Sequence, residues 1–258
     1  MSETALVTGA TSGIGAEFAR QLAARGCDLV LVARDVERLR TTSARLSERY
    51  GVDASYLRAD LTDREDVDRV AQRLVDPDGP VDVLVNNAGY GLVTTFADST
   101  IDDEQRNLDL LVTTPMRLSH AVMGPMLERR HGRIINIASV AGYTPRGTYG
   151  AHKAWLISFS RWANLYYAST GVTTTAVCAG FVRTEFHQRM DARTDDIPRW
   201  MWLRAERLVG EALADSDRGK AISTPSKRYK VLATAARLAP QGFVAKVARK
   251  GREPKVDR

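Results

Sequence analysis

Tyr149 and Lys153 stand four residues apart in the segment Tyr149-Gly150-Ala151-His152-Lys153, at the beginning of an apolar-periodic stretch. On a helix that separation puts both side chains on one face, so the phenol and the ammonium can converge. A neighbouring ammonium favours the tyrosinate and lowers the phenol pKa towards a range useful for moving a proton at a substrate oxygen. Such a pair is common on helices and gains meaning only from its company. Ser139 closes the run Asn136-Ile137-Ala138-Ser139 and supplies a hydroxyl able to orient a carbonyl beside Tyr149. A serine at the end of a strand also caps turns, so both uses of Ser139 stand.

A second constellation lies near the N-terminus, where Thr8 to Gly15 reads TGATSGIG between a short β-rich run and a helical pattern. Glycines there let backbone N–H groups approach a pyrophosphate, and the start of a helix favours the anion. The spacing of Gly9, Gly13 and Gly15 is GxxxGxG rather than GxGxxG, so the strand and helix on either side carry the inference of a dinucleotide site. The second strand ends in Ala33-Arg34-Asp35, with no acid at position 33 to take ribose hydroxyls. The Arg34 guanidinium can instead grip a 2′-phosphate, which favours NADP(H) over NAD(H). A merely solvated Arg34 is the plainer alternative, and Asp35 reads as the N-cap of the next helix.

These residues need a frame that brings them to one edge. Strands are expected at Thr4 to Thr8, Asp28 to Ala33, Ala54 to Ala59, Val81 to Asn86, Arg133 to Ala138, Thr173 to Cys178 and Lys220 to Thr224. Between them lie helical patterns near 14–25, 35–49, 63–75, 102–130 and 149–169. This alternation predicts an α/β fold, a doubly wound Rossmann-type parallel sheet of about seven strands with helices on both faces. Ligands of such sheets collect at the C-terminal strand ends, where Ser139 and the glycine turn both fall. Residues 1–258 read as a single domain, with a lid over about 185–203 carrying Phe186, Met190, Trp200, Met201 and Trp202, and a basic segment over about 218–258.

Composition narrows the field further. Hydrophobic residues make up 44% and charged residues 26%, as in an ordinary globular chain. The net charge of +6 is a property of the tail: residues 218–258 hold twelve Lys or Arg against two acids, or +10, which leaves −4 for the rest. Without a zinc-finger, RNP-like or helix-turn-helix pattern, nucleic acid is not an expected partner. Cys27 and Cys178 form no ligand motif and no disulfide framework, and the four histidines are dispersed, so no metal is expected and a reducing cytoplasm fits. No apolar run is long enough to span a membrane. Lys227, Arg228, Lys230 and Arg237 interleave with Val231, Leu232, Ala235 and Leu238. That pattern suggests an amphipathic helix that packs on its own domain or lies on an anionic membrane surface.

Taken together, TGATSGIG, Asp60-Leu61, Asn86-Asn87-Ala88-Gly89, Ser139, YGAHK and Ala179 to Thr184 stand in the order of the short-chain dehydrogenase/reductase family. The chain resembles a compact member of it over residues 4 to about 185. The resemblance implies an NAD(P)-dependent oxidoreductase, with Ser139, Tyr149 and Lys153 catalytic. It places Gly9, Thr11, Ser12, Gly13, Ile14, Gly15, Arg34, Asp60, Leu61, Asn87, Ala88 and Gly89 along the cofactor, Asp60 at adenine and Asn87 beside a ribose. Val182 and Thr184 would hold the nicotinamide carboxamide, and Lys153 the nicotinamide ribose. Read from their own positions, Asp60 is also a turn residue and Asn87 a loop residue satisfying backbone.

One position leaves the activity open at this point. Leu111 stands where the family usually has an Asn that helps to order a proton-relaying water; leucine has neither donor nor acceptor, and Asn107, one turn away, is a distant substitute. An oxidoreductase acting on a small hydrophobic ketone or alcohol is expected, and a nucleotide-binding protein that lost turnover is the alternative. Trp155, Phe159, Trp162 and Tyr166 share one helix face, which reads first as core and next as the interface of a homo-oligomer.

Overall fold

The computed structural model describes residues 2–92, 94–185, 197–239 and 242. Seven strands form one parallel sheet: β1 Thr4–Thr8, β2 Asp28–Ala33, β3 Ala54–Arg58, β4 Val83–Asn86, β5 Gly132–Ser139, β6 Val172–Ala179 and β7 Ile222–Ser223. Their order across the sheet is β3-β2-β1-β4-β5-β6-β7. The inner strands are nearly continuous runs of Val, Leu and Ile because both faces are covered. The order reverses between β1 and β4, which opens a crevice at their C-terminal ends. The glycine turn after β1 and the Asn86–Gly89 loop after β4 border it.

Eight helices flank the sheet among the described residues: α1 Gly13–Ala23, α2 Val36–Tyr50, α3 Arg64–Leu74, α4 Ile101–Leu108, α5 Thr114–Arg129, α6 Gly147–Tyr167, α7 Ala205–Asp217 and α8 Lys227–Leu238. On one face Phe18 and Leu22 of α1 share a core with Leu39 of α2 and Leu208, Val209 and Leu213 of α7. On the other, Val67 and Val70 of α3 join Leu118, Val122 and Met126 of α5. α6 lays Leu156 and Ile157 over Ala138, Ala176 and Cys178 at the ends of β5 and β6. Asp35 caps α2 as expected, accepting from Arg38 N at 3.0 Å.

Three local expectations change. The helix expected over 102–130 is interrupted by a π-helical turn at Asp109–Thr113, where the Thr114 N–H reaches back to Asp109 O. Pro115 has no N–H with which to continue the regular ladder, so the backbone widens just before it. Helix α7 lies where no helix is expected, and it buries Leu208, Val209, Ala212 and Leu213 at helical spacing. The aromatic face of α6 joins the core only at its start, where Trp155 packs against the cluster of Ala138, Leu156 and Cys178. Trp155, Phe159, Trp162 and Tyr166 form a row of ring contacts, but Trp162 is 51% and Tyr166 67% exposed.

Candidate active site

The glycine turn is a cradle of bare backbone. Gly9 and Gly13 have φ of +66° and +55°, a region costly for any residue with a Cβ. A Cβ on Gly15 would overlap Gly9 O and the Asn87 amide. One on Gly13 would lie 3.1 Å from Thr184 Cβ, so Thr184 closes one side of the turn. Thr11, Ser12 and Ile14 are half-buried around it, and Ser12, the N-cap of α1, makes no side-chain capping bond. Amides of an uncapped first turn beside a surface without room for side chains are what a pyrophosphate requires, and these residues fit a dinucleotide.

The loop after β4 is tied to this turn. Thr8 Oγ1 accepts from Asn87 N at 2.9 Å and Ala88 N at 3.0 Å, while Asn87 Nδ2 donates to Thr8 O at 2.9 Å. Asn87 thus satisfies backbone, the plainer of its two expected uses, and by doing so holds Ala88 and Gly89 against the crevice. Just after β3, Asp60 Oδ1 accepts from Thr62 N at 3.0 Å and Thr62 Oγ1 at 2.8 Å. Burial pushes the Asp60 pKa up, but the Thr62 bonds and the nearby Arg34 and Arg58 outweigh it and hold the carboxyl below its usual range. Arg34 is 3.9 Å from Asp60, with a side chain 72% exposed. Leu61 is buried, its carbonyl bonded to Thr114 Oγ1 at 2.8 Å.

Ser139 ends β5, and Tyr149 and Lys153 lie in the first two turns of α6, which packs against that strand. Ser139 Oγ accepts from Ala141 N at 3.1 Å, so it caps the short turn that follows, and it donates to Ala179 O at 3.3 Å. That turn wraps α6: a Cβ on Gly150 would approach Ala141 O and Thr144 O at 3.2 and 3.1 Å. Lys153 is buried, and its Nζ donates to Ile137 O at 2.6 Å, two residues before Ser139. The same ammonium lies 5.7 Å from the centre of the Tyr149 ring. Burial pushes the Lys153 pKa down to about 8. Leu111 is buried beside it, since a Cβ on Gly89 would stand 2.7 Å from Leu111 Cδ2 and 4.0 Å from Lys153 Nζ. Asn107 makes its side-chain bonds to Tyr90 and His152.

The opposite wall begins at Val182, which is buried and bridges Leu203. Phe181 and Trp202 pack with ring centres 5.9 Å apart. Phe186 and Met190 of the expected lid lie outside the described residues. Tyr229, unremarked in the sequence, is central here. Its hydroxyl accepts from Phe181 N at 3.0 Å and donates to Met201 O at 2.8 Å, and its ring covers Gly180. Nothing local in the tail signals this contact, which depends on a chain reversal about fifty residues long. No group of His, Cys, Asp and Glu among the described residues is placed to hold a metal.

The model of the family described as short chain dehydrogenase matches residues 3–195. A putative ketoacyl reductase from Streptomyces coelicolor is 40% identical over 205 residues, 76% of this chain and 77% of that protein. Among solved structures, a short-chain dehydrogenase from Sphingobium yanoikuyae in complex with NADPH has a TM-score of 0.82 at 31% identity, covering 99% of this chain and 98% of the other. A bulky-bulky ketone specific alcohol dehydrogenase from Comamonas testosteroni gives 0.77 at 30%, covering 99% and 96%. The chain belongs to the short-chain dehydrogenase family and is an oxidoreductase of the NAD(P)-dependent kind.

Proposed function

We propose that this protein reduces a hydrophobic ketone, or oxidises the matching secondary alcohol, with NADP(H) preferred over NAD(H). The observation that carries the reading is Lys153, a buried ammonium anchored to Ile137 O at 2.6 Å and facing the Tyr149 ring. Bound in the cradle, the nicotinamide would supply or accept the hydride. Tyr149 gives the substrate oxygen its proton in reduction and takes it back in oxidation. Lys153 stabilises the tyrosinate, and Ser139 Oγ, whose proton is held only by the long 3.3 Å bond to Ala179 O, turns to polarise the same oxygen. Arg34, exposed at the end of β2, favours the 2′-phosphate of NADP(H). Phe181, Met201 and Trp202 support an apolar substrate. The ketoacyl reductase and the bulky-ketone enzyme among its relatives point the same way.

The test is consumption of NADPH and of NADH with a panel of lipophilic ketones. Faster turnover with NADPH is expected. Absence of consumption with every ketone, in protein that binds the cofactor, would instead favour the nucleotide-binding alternative raised by Leu111.

The surroundings of the site support two further readings. Trp162, Leu165 and Tyr166, between 51% and 87% exposed, favour a homo-oligomer joined through α6. Helix α8 exposes Val231, Leu232 and Leu238 beside Lys227, Lys230 and Arg237, which favours contact with an anionic membrane surface. No described helix is long and apolar enough to cross a membrane. The free, buried Cys27 and Cys178 accord with a reducing cytoplasm. Sedimentation and flotation on anionic against neutral vesicles separate these surfaces.

A further inference from the structure

Between the loop after β4 and the first turns of α6 lies a polar chain for which the reaction has no direct use. Asn107, in the last turn of α4, is fully buried. Its Nδ2 donates to Tyr90 O at 3.0 Å, and its Oδ1 lies 3.1 Å from His152 Nδ1. A backbone carbonyl only accepts, so Tyr90 fixes the orientation of the amide, and Oδ1 must face the imidazole. His152 Nδ1 therefore carries a proton and donates it to Asn107. One turn earlier on α4, Glu104 Oε1 accepts from Ser99 Oγ at 2.8 Å, while its buried Oε2 has no hydrogen-bond partner among the described residues.

We propose that Asn107 and His152 form a buried bridge that sets the cofactor-facing loop after β4 against the catalytic helix, which makes both of them positioning residues for the reaction. The inference rests on the reading above for the identity of the site. Each end of the bridge adjoins that site. Tyr90 follows Gly89, which touches Leu111 next to Lys153, and His152 lies between Tyr149 and Lys153 in the chain. Apolar residues would fill the same space without the desolvation cost of an amide and an imidazole. Paired with each other and with a loop carbonyl, these two groups fix a distance that apolar packing lets slide. Burial lowers the His152 pKa and Lys153 adds to this, while Glu104 opposes both. A neutral imidazole keeps a second positive charge away from Lys153.

The experiment uses the full chain, with NADPH binding read by fluorescence and amide exchange followed across residues 86–90 and 147–153 in the protein alone. His152→Leu removes the donor and leaves Asn107 Oδ1 buried and unpaired, so NADPH affinity should fall about tenfold and the loop should exchange faster. His152→Ala, which avoids overpacking if the leucine does not fold, should behave alike. His152→Asn restores a donor close to the position of the imidazole Nδ1 and should recover affinity to within about threefold of the parent. A role in packing alone predicts the reverse, with Asn no better than Leu. That result, or parental affinity and exchange in His152→Leu and His152→Ala, overturns the bridge. If the parent binds no NADPH, the reading of the site falls, and the exchange comparison still decides the bridge.

Discussion

The two walls of the crevice are built differently. On the side that would hold the cofactor, the glycine turn and the loop after β4 lie so close that Gly9 and Gly15 have no space for a Cβ, and the Thr8 and Asn87 side chains each bond the backbone of the facing segment. On the opposite side, the segments around Phe181 and Met201 are joined by backbone bonds from Leu203 N to Phe181 O and from Arg183 N to Leu203 O, and both are tied to α8 by the Tyr229 hydroxyl. The other contacts of α8 with this region are likewise made by single side chains: Arg228 bonds Trp200 O, and the Arg237 guanidinium sits 5.8 Å from the Tyr143 ring. A turn without room for a Cβ leaves little tolerance for substitution, whereas an anchorage to α8 made by side chains is rebuilt by changing a few of them. On the proposed reading of the site, the first wall holds the cofactor and the second meets the substrate.

The largest effect is expected at the seam between the walls. Tyr149→Phe keeps the ring and removes the proton donor, so turnover should fall by about 10³-fold with the unfolding midpoint unchanged. Gly15→Ala comes next: its methyl collides with Gly9 O and the Asn87 amide, and NADPH affinity should fall by about 10²-fold, a loss of about 2.7 kcal/mol. Normal NADPH titration of that variant would show that the cofactor wall has more give than its contacts allow.

Tyr229→Phe probes the other wall. It leaves Phe181 N and Met201 O without the hydroxyl, which should cost about 1–3 kcal/mol of stability in denaturant titration. Substrate KM should move more than NADPH KM, and equal changes in both would erase the contrast. The smallest effect is one of pH. Lys153 has its pKa lowered to about 8 in the folded chain against an ordinary 10.5, so between those values the unfolded chain binds more protons. The cost of burying the ammonium is full below pH 8 and is relieved as the pH rises through that window, so this residue's contribution to stability rises with pH. Urea midpoints at pH 7 and 9.5 should show the parent gaining on Lys153→Met.

How much of this the sequence disclosed depends on range. The strands β1 and β2 and the cap at Asp35 are written locally, in continuous Val and Leu runs and in one acid before a helix. The glycine turn is equally local, since positive φ at Gly9 and Gly13 demands the residue type. The break at Asp109–Thr113 was legible in principle from Pro115, but an apolar pattern running through it reads as one helix. The exposure of Trp162 and Tyr166 was not legible, because periodicity shows that a face is apolar and does not say what covers it. The pairings of Asn107 with His152 and of Tyr229 with Phe181 join residues 45 and 48 positions apart, and only the folded topology brings them together.

The π-helical turn has a consequence for the phasing of the long helical segment around it. Each residue added to a helix rotates what lies beyond it by about 100°. With the wide turn in place, α4 directs Glu104 and Asn107 towards α6 while α5 directs Leu118, Val122 and Met126 at the sheet. Excising one residue from Asp109–Thr113 would merge the two into a single rod and swing Asn107 away from His152 without disturbing the packing of α5. The turn acts as a joint between two clocks, so the face that anchors the helix and the face that serves the crevice are set independently.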